Sequence, residues 1–539
     1  SISVATLANL VETAVAAYGP QRAIEYRGHD LTFEALGRLS GKAAAAFLRA
    51  GIGRDTTLAL YLPNTRFHPI TFFGGLRTGA RLVMLSPLDA ERELTHKLRD
   101  SGARILVTTD IGHMLPMATK LIEAGHLDRV IVCEDATWGR FPLPLAEVPC
   151  RCDVIRWSDF VDGAEVPDRW PEIRPEDIAV LQYTGGTTGL PKGAILTHAN
   201  LTASTSMYDL WFNAQRLGAA GEERFICVRP LFQIYALATI LLRQISNGNG
   251  ILLRLKFDVE AILDDIEVKR ATALPGVPTM WIALTNSPGL EKRDLSSLRN
   301  CSSGGAPLPV EIGKRFRELT GLPLLGGWGM TETSPAGANL PLTGPDKPGS
   351  IGLPMPGIDM GIVALDEPTR ELGQGETGEI RIKGLNVTDG YWNRPEETKA
   401  AFADGYFLTG DIGYMDADGY FFIVDRKKDM ILSGGFNVYP QVVEQAIYEH
   451  PGVAEALVIG VPDDYRGEAA KAFVALREGA DPFTLDDLRG FLADKVGKHE
   501  MPQQLEIRDA LPRSAVGKLV KTSLREDERR KAVSNAGAT

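Results

Sequence analysis

From Leu31 to about Thr109 the apolar positions keep changing period. LTFEALGRLSGKAAAAFLRAG spaces them as one face of a helix, while TLALYLP and ILVTT are short, nearly continuous apolar runs. Helices alternating with buried strands imply parallel α/β layers. The stretch around Pro142 to Pro175 (PLPLAEVPC, VPDRWPEIRPED) has no clean period and reads as a surface connection. From Asp177 to Leu325 strand and helix patterns resume with IAVLQYT, a glycine-rich turn, and a helix opening near His198. From about Gly349 short β-type runs separated by Gly and Pro take over (GIVAL, GEIRIKG, GYFLTGDIGYMD, GYFFIVD), the pattern of a small antiparallel barrel or sheet. After DRKKD, strands LVIGV and AFVAL alternate with helices QVVEQAIYEH and LDDLRGFLADKVGKH, describing a compact α+β domain. The expected fold is therefore α/β. A large N-terminal domain at 1–427 comprises two α/β subdomains, about 1–170 and 171–348, and a small β-barrel at 349–425. A C-terminal α+β domain follows at 428–539.

Composition narrows the function. The 539 residues are 44% hydrophobic and 24% charged, the balance of an ordinary globular protein. A net charge of -11 argues against nucleic acid as partner. Five scattered cysteines without a C-x-x-C pair suggest neither zinc nor disulfide chemistry and fit a cytoplasmic setting. The most apolar stretch, Leu231 to Leu242, is far short of the roughly 20 residues a membrane helix needs, which leaves at most peripheral membrane contact. The N-terminal SISVATLANLVETAVAAYG carries Glu12 within its apolar part and reads as an amphipathic helix rather than a secretion signal.

The most informative segment is YTGGTTGLPKG at Tyr183 to Gly193. Four glycines let backbone N–H groups approach phosphate oxygens, three threonines add donors, and Lys192 adds a mobile charge. It is not a Walker A loop, because the lysine follows Leu-Pro. Further on stand SSGGAPL (302–308), GWGMTET (327–333), YFLTGD (406–411), DRKKDMILSGGFNVYP (425–440) and PRSAVGK (512–518). In that order these segments resemble the signature motifs of the adenylate-forming superfamily, which includes acyl-CoA and aryl-CoA synthetases, luciferases and peptide-synthetase adenylation domains. The resemblance spans nearly the whole chain and is strongest to the fatty acid-CoA ligase branch.

The resemblance implies an AMP-binding N-terminal domain and a mobile C-terminal domain. It assigns phosphate binding to Thr184, Gly185, Gly186, Thr187, Thr188 and Lys192, and magnesium to Glu332 with Thr187. Gly304, Gly305, Ala306 and Pro307 would form the adenine turn, with Trp328 beside it. Gly327, Gly329, Met330 and Thr331 complete the nucleotide loop, Thr331 touching the α-phosphate. Asp411 and Arg426 would hold the ribose hydroxyls. Lys518 would bridge the substrate carboxylate and the α-phosphate, so that Lys518, Thr187, Lys192 and Glu332 form the catalytic set. Rotation about a hinge at Lys428 would then bring Ser433, Gly434, Gly435 and Phe436 to a pantetheine tunnel. The implied activity is an ATP- and Mg2+-dependent acid:CoA ligase acting on a fatty or related apolar acid, a dicarboxylic one included, by a monomer or homodimer. The alternatives are an acyl-AMP ligase serving a carrier protein, an aryl-CoA ligase, and an acyl-adenylate-binding protein without turnover. Acylation of Lys518 by a lysine-modifying partner would remove its charge and act as an off switch.

Gly185 stands where the family commonly has serine, a YTGGTTG version resembling bacterial fatty acyl-CoA synthetases, and two further positions depart from the pattern. Relatives commonly carry histidine where this chain has Gln233, and Gln donates hydrogen bonds but cannot titrate near neutrality. Arg229 stands where an apolar residue usually precedes the proline. It reads first as a solvated strand-end charge, and alternatively as the partner of a second, distal carboxylate. The acyl pocket is expected to involve Tyr208, Leu231, Gln233, Ala236, Val277 and Trp281.

Overall fold

The computed structural model describes residues 1–138, 143–184, 191–215, 221–304, 308–434, 436–514 and 519–536. Three sheets organise them. The first runs, in spatial order, through Val154–Arg156, Arg129–Cys133, Ile105–Thr109, Thr57–Leu60, Arg81–Met84, Ile178–Thr184 and Lys192–Thr197. Every neighbouring pair is parallel except the last. Its strands are apolar on both faces because both faces are covered. Leu58 and Leu82 join a core with the helices Phe33–Arg49 and Phe67–Arg77, whereas Ala59 and Val83 join another with Glu91–Ser101 and Met114–Glu123. Helix Phe33–Arg49 starts where the sequence dictates: the Thr32 hydroxyl accepts from the Ala35 N–H and caps it.

The second sheet joins parallel strands, among them Arg224–Cys227, Gly250–Leu253, Ala273–Gly276 and Asn300–Ser303, to the β-rich segment. That segment is antiparallel, as its short alternating runs predict. Its ladder continues through Ser350–Pro354 and Ala338–Asn339 into Leu324–Trp328.

The strands do not sort by the contiguous division at about residue 170. Arg22–Tyr26 pairs parallel with Gly250–Leu253 in the second sheet, and Ile178–Thr184 and Lys192–Thr197 close the first. The chain crosses between layers twice, and the N-terminal helix Leu7–Tyr18 packs its apolar face, Leu7, Val11 and Ala14, into the core. The Leu7 N–H donates to His198 Nδ1 at 3.1 Å.

The last sheet, Phe436–Val438, Ile431–Ser433, Gly467–Leu476 and Val453–Asp463, with Gln504–Ile507 on the third strand, packs helices Pro440–Tyr448 and Leu485–Leu492. Val443, Ile447, Val458, Val474 and Leu488 form its separate core. No helix among the described residues is long and apolar enough to cross a membrane.

Candidate active site

A cavity of about 1400 Å³ collects most of the quoted motifs. Thr184 and Lys192 reach it from the antiparallel strands on either side of the glycine-rich loop. That loop therefore joins two strands of a hairpin, and the helix His198–Ala214 follows only after the second strand. The Thr184 hydroxyl donates to the Lys192 carbonyl at 3.4 Å, tying the two ends. Gly304, Gly327, Trp328, Gly329, Met330, Thr331, Glu332 and Arg426 also line the cavity.

The GWGMTET segment is held by its own side chains. The Met330 N–H donates to the Thr333 hydroxyl at 3.0 Å around a short 3₁₀ turn at Thr331–Thr333. Gly329 is required by close approach, since a Cβ there would sit 1.4 Å from the Pro335 carbonyl oxygen.

Glu332 is buried at 5% exposure. Burial pushes its carboxyl above the ordinary range, opposed by the Tyr391 hydroxyl, which donates to Oε1 at 2.8 Å. The same Tyr391 ring carries the Lys192 ammonium 4.5 Å from its centroid. Tyr391 thus organises a cation and an anion at once. Sequence reasoning missed it, and only the aromatic pair in GYWNRP hints at a role. Asp411 is buried too. Its Oδ2 accepts from Trp328 Nε1 at 2.8 Å and its Oδ1 pairs with Arg426 Nε at 2.8 Å, so aromatic face, acid and guanidinium form one fixed unit. Burial raises the Asp411 carboxyl and Arg426 pulls it back.

Among the described residues no cluster of three or more His, Cys, Asp or Glu side chains forms a metal site. Glu332 is a buried carboxylate on the cavity wall, and a single carboxylate suits Mg2+, which typically takes one or two protein carboxylates together with substrate phosphates.

Of the residues expected in the acyl pocket, Tyr208, Gln233 and Val277 line the cavity. Leu231, Ala236 and Trp281 lie in the core off its wall. Trp281 is fully buried, its ring 5.0 Å from Phe316 and its Nε1 donating to the Ser302 carbonyl at 3.1 Å. A large aromatic beside an expected pocket is here a packing element between helix and strand. Ala236 begins a π-helical turn, Ala236–Leu242, that places Tyr235 and Thr239 on the wall instead. Arg229 is not a solvated strand-end charge. It is 3% exposed, lines the cavity, and donates from Nη1 to the carbonyls of Gly276 and Gly304 at 3.2 and 3.1 Å.

Comparison with known proteins places this geometry. The model of the AMP-binding enzyme family matches residues 11–392, and that of the AMP-binding enzyme C-terminal domain matches 442–518. The chain belongs to the AMP-binding enzyme family. It is 38% identical to a long-chain-fatty-acid–CoA ligase of Bacillus subtilis over 97% of this chain and 94% of that one. It is 36% identical to a feruloyl-CoA synthase of Amycolatopsis over 93% and 95%. The ATP-bound structure of MatB from Rhodopseudomonas palustris superposes with a TM-score of 0.85 at 30% identity, covering 96% of this chain and 98% of that one.

The wall of this AMP-binding enzyme's cavity continues beyond residue 426 into the C-terminal part of the chain. Lys428 lines it from a 3₁₀ turn, Lys427–Asp429, that follows strand Phe421–Arg426. Lys427 pairs with Glu379 at 2.8 Å on one side, and Asp429 with Arg525 at 2.7 Å on the other. Ser514 and Leu519, which bracket the end of PRSAVGK, line the same cavity. Ser433, Gly434 and Phe436 do not. Phe436 is 60% exposed on a hairpin turned away from the cavity. Gly185, Gly186, Thr187, Thr188, Gly305, Ala306, Pro307, Gly435 and Lys518 lie outside the described residues.

Proposed function

We propose that the chain is an AMP-forming acid:CoA ligase. The observation that carries this is the convergence, in one cavity, of Lys192, the Tyr391–Glu332 pair, Trp328 and Arg426 held together by the buried Asp411 behind them, and the two residues flanking the end of PRSAVGK. Activating a carboxylate with ATP brings an anion against a polyanion, so charges must converge and the acid must lie in line with the α-phosphate. In this reading Thr184, Gly185, Gly186, Thr187, Thr188 and Lys192 embrace the phosphates. Gly304, Gly305, Ala306, Pro307 and Trp328 seat the adenine, and Asp411 with Arg426 takes the ribose hydroxyls. Glu332 with Thr187 would hold Mg2+, which when bound neutralises phosphate charge.

Lys518 supplies the point charge that stabilises the crossing of carboxylate oxygen and α-phosphate, giving acyl-adenylate and pyrophosphate. The arrangement suits this first half-reaction, because the ends of the Lys518 segment face the cavity while the Ser433–Phe436 hairpin faces away. Rotation about Lys428 would exchange them, so that a thiol attacks the adenylate and AMP leaves. The ligase names of the relatives in Bacillus and Amycolatopsis support CoA as acceptor and an apolar acid, aliphatic or aromatic. The five free cysteines, three of them buried, support a reducing cytoplasmic location.

The test is pyrophosphate release from ATP and Mg2+ across linear, aromatic and dicarboxylic acids, each with and without CoA. CoA-dependent turnover with at least one acid is expected. Lys518→Ala is expected to lose adenylation by at least a hundredfold, about 2.8 kcal/mol, while still binding ATP. Undiminished adenylation in that variant refutes the assignment.

A further inference from the structure

One charge on the cavity wall stands apart from the phosphate-side cluster and has no counter-ion among the described residues. The phosphate-side groups cluster around Tyr391, whereas Arg229 stands over the Tyr235 ring, 4.1 Å from its centroid, against the carbonyls of Gly276 and Gly304. Among the described residues no carboxylate lies within ion-pair distance of it. Its hydrogen bonds to them leave from Nη1 alone, and Nε is buried with no partner. Nearby arginines are neutralised: buried Arg243, also on the cavity wall, pairs with Asp209 at 2.9 Å, and half-buried Arg254 with Glu25 and Asp265 at 2.6 Å.

A desolvated guanidinium facing only carbonyl dipoles is costly, and a leucine or methionine would line an apolar acyl pocket without that cost. The cost is recovered if a ligand brings the missing anion. Nη2 donates no hydrogen bond among the described residues, and its two N–H groups are the charged donors left for a carboxylate in the cavity.

Resting on the ligase reading above, we propose that the enzyme's preferred acids are dicarboxylic, with Arg229 binding the second carboxylate while the first is adenylated. Tyr235 under the guanidinium fixes its plane. Gln233 and the backbone carbonyls supply no competing negative charge.

The experiment measures CoA-dependent AMP formation with pairs of alkanoic and α,ω-alkanedioic acids matched in carbon count, for the wild type, Arg229→Leu and Arg229→Lys. The wild type is expected to favour the diacid in kcat/KM at least tenfold, equivalent to about 1.4 kcal/mol. Arg229→Leu should abolish that preference through KM for the diacid while monoacid turnover is retained or improved. Arg229→Lys should keep part of it, having the charge without the planar guanidinium. A wild type that favours the monoacid, or a leucine variant that loses both acids equally, overturns the proposal. ATP-induced thermal stabilisation reports whether each variant is folded, and the wild-type comparison decides even if the leucine variant is not. Failure to activate any acid refutes the ligase reading itself, whereas monoacid activity with diacids ignored refutes only this inference.

Discussion

Tyr391→Phe isolates the role of one hydroxyl. In the wild type that hydroxyl donates to Glu332 Oε1 at 2.8 Å while the ring beneath supports the Lys192 ammonium at 4.5 Å. Phenylalanine keeps the ring and deletes only the donor. A hydrogen bond to a buried charged group is worth about 1.5–3 kcal/mol, and each 1.4 kcal/mol is tenfold, so kcat/KM for ATP should fall roughly 10- to 150-fold. The pH profile adds a sign. The Tyr391 hydroxyl favours ionised Glu332, against the burial that raises its carboxyl. Without it, a higher pH is needed to ionise Glu332, and the acidic limb of the rate profile moves upward. A merely structural tyrosine would lower activity without moving that limb. Steady-state kinetics over ATP concentration at several pH values, with Tyr391→Ala to add the loss of the ring, make the measurement. A phenylalanine variant within twofold of wild type and with an unmoved acidic limb would refute the coupling.

Gly329→Ala puts a Cβ where the Pro335 carbonyl oxygen already lies, 1.4 Å away. Backbone must shift, costing about 1–3 kcal/mol in a denaturant melt, and ATP should no longer raise the melting temperature. His198 provides a pH prediction. Burial holds its imidazole neutral down to about 4 against an ordinary 6.5, and Nδ1 accepts from the Leu7 N–H. The unfolded chain takes up the proton first, so this group's contribution is intact above pH 6.5 and is lost as pH falls toward 4. The gap corresponds to about 3 kcal/mol at about 1.4 kcal/mol per pH unit. His198→Asn should flatten that part of the acid dependence in urea melts at pH 7, 5.5 and 4.5; an unchanged slope refutes the link.

What could be read from the chain and what could not follows one physical line. Glycine loops, caps and strand patterns depend on neighbours in sequence, so YTGGTTGLPKG and GWGMTET stand out as strings and fall where their flanking strands lead. The helix start at Thr32 and the antiparallel ladder after Gly349 are equally local. The exchange of strands between the two large sheets is not, because Arg22–Tyr26 meets its partner Gly250–Leu253 more than two hundred residues on, and parallel pairing leaves no turn to announce it. Tyr391 was silent for the same reason: it serves Glu332 and Lys192, both distant in sequence. Trp281 and Arg229 failed in opposite directions. Composition gave the tryptophan to the pocket and the arginine to solvent, but packing against Phe316 claimed the first, while the carbonyls of Gly276 and Gly304 buried the second. An apolar side chain is always at home in a core, so its loss from the pocket carries little information. A charge in that position is expensive, and its persistence there is what points to a ligand able to meet it.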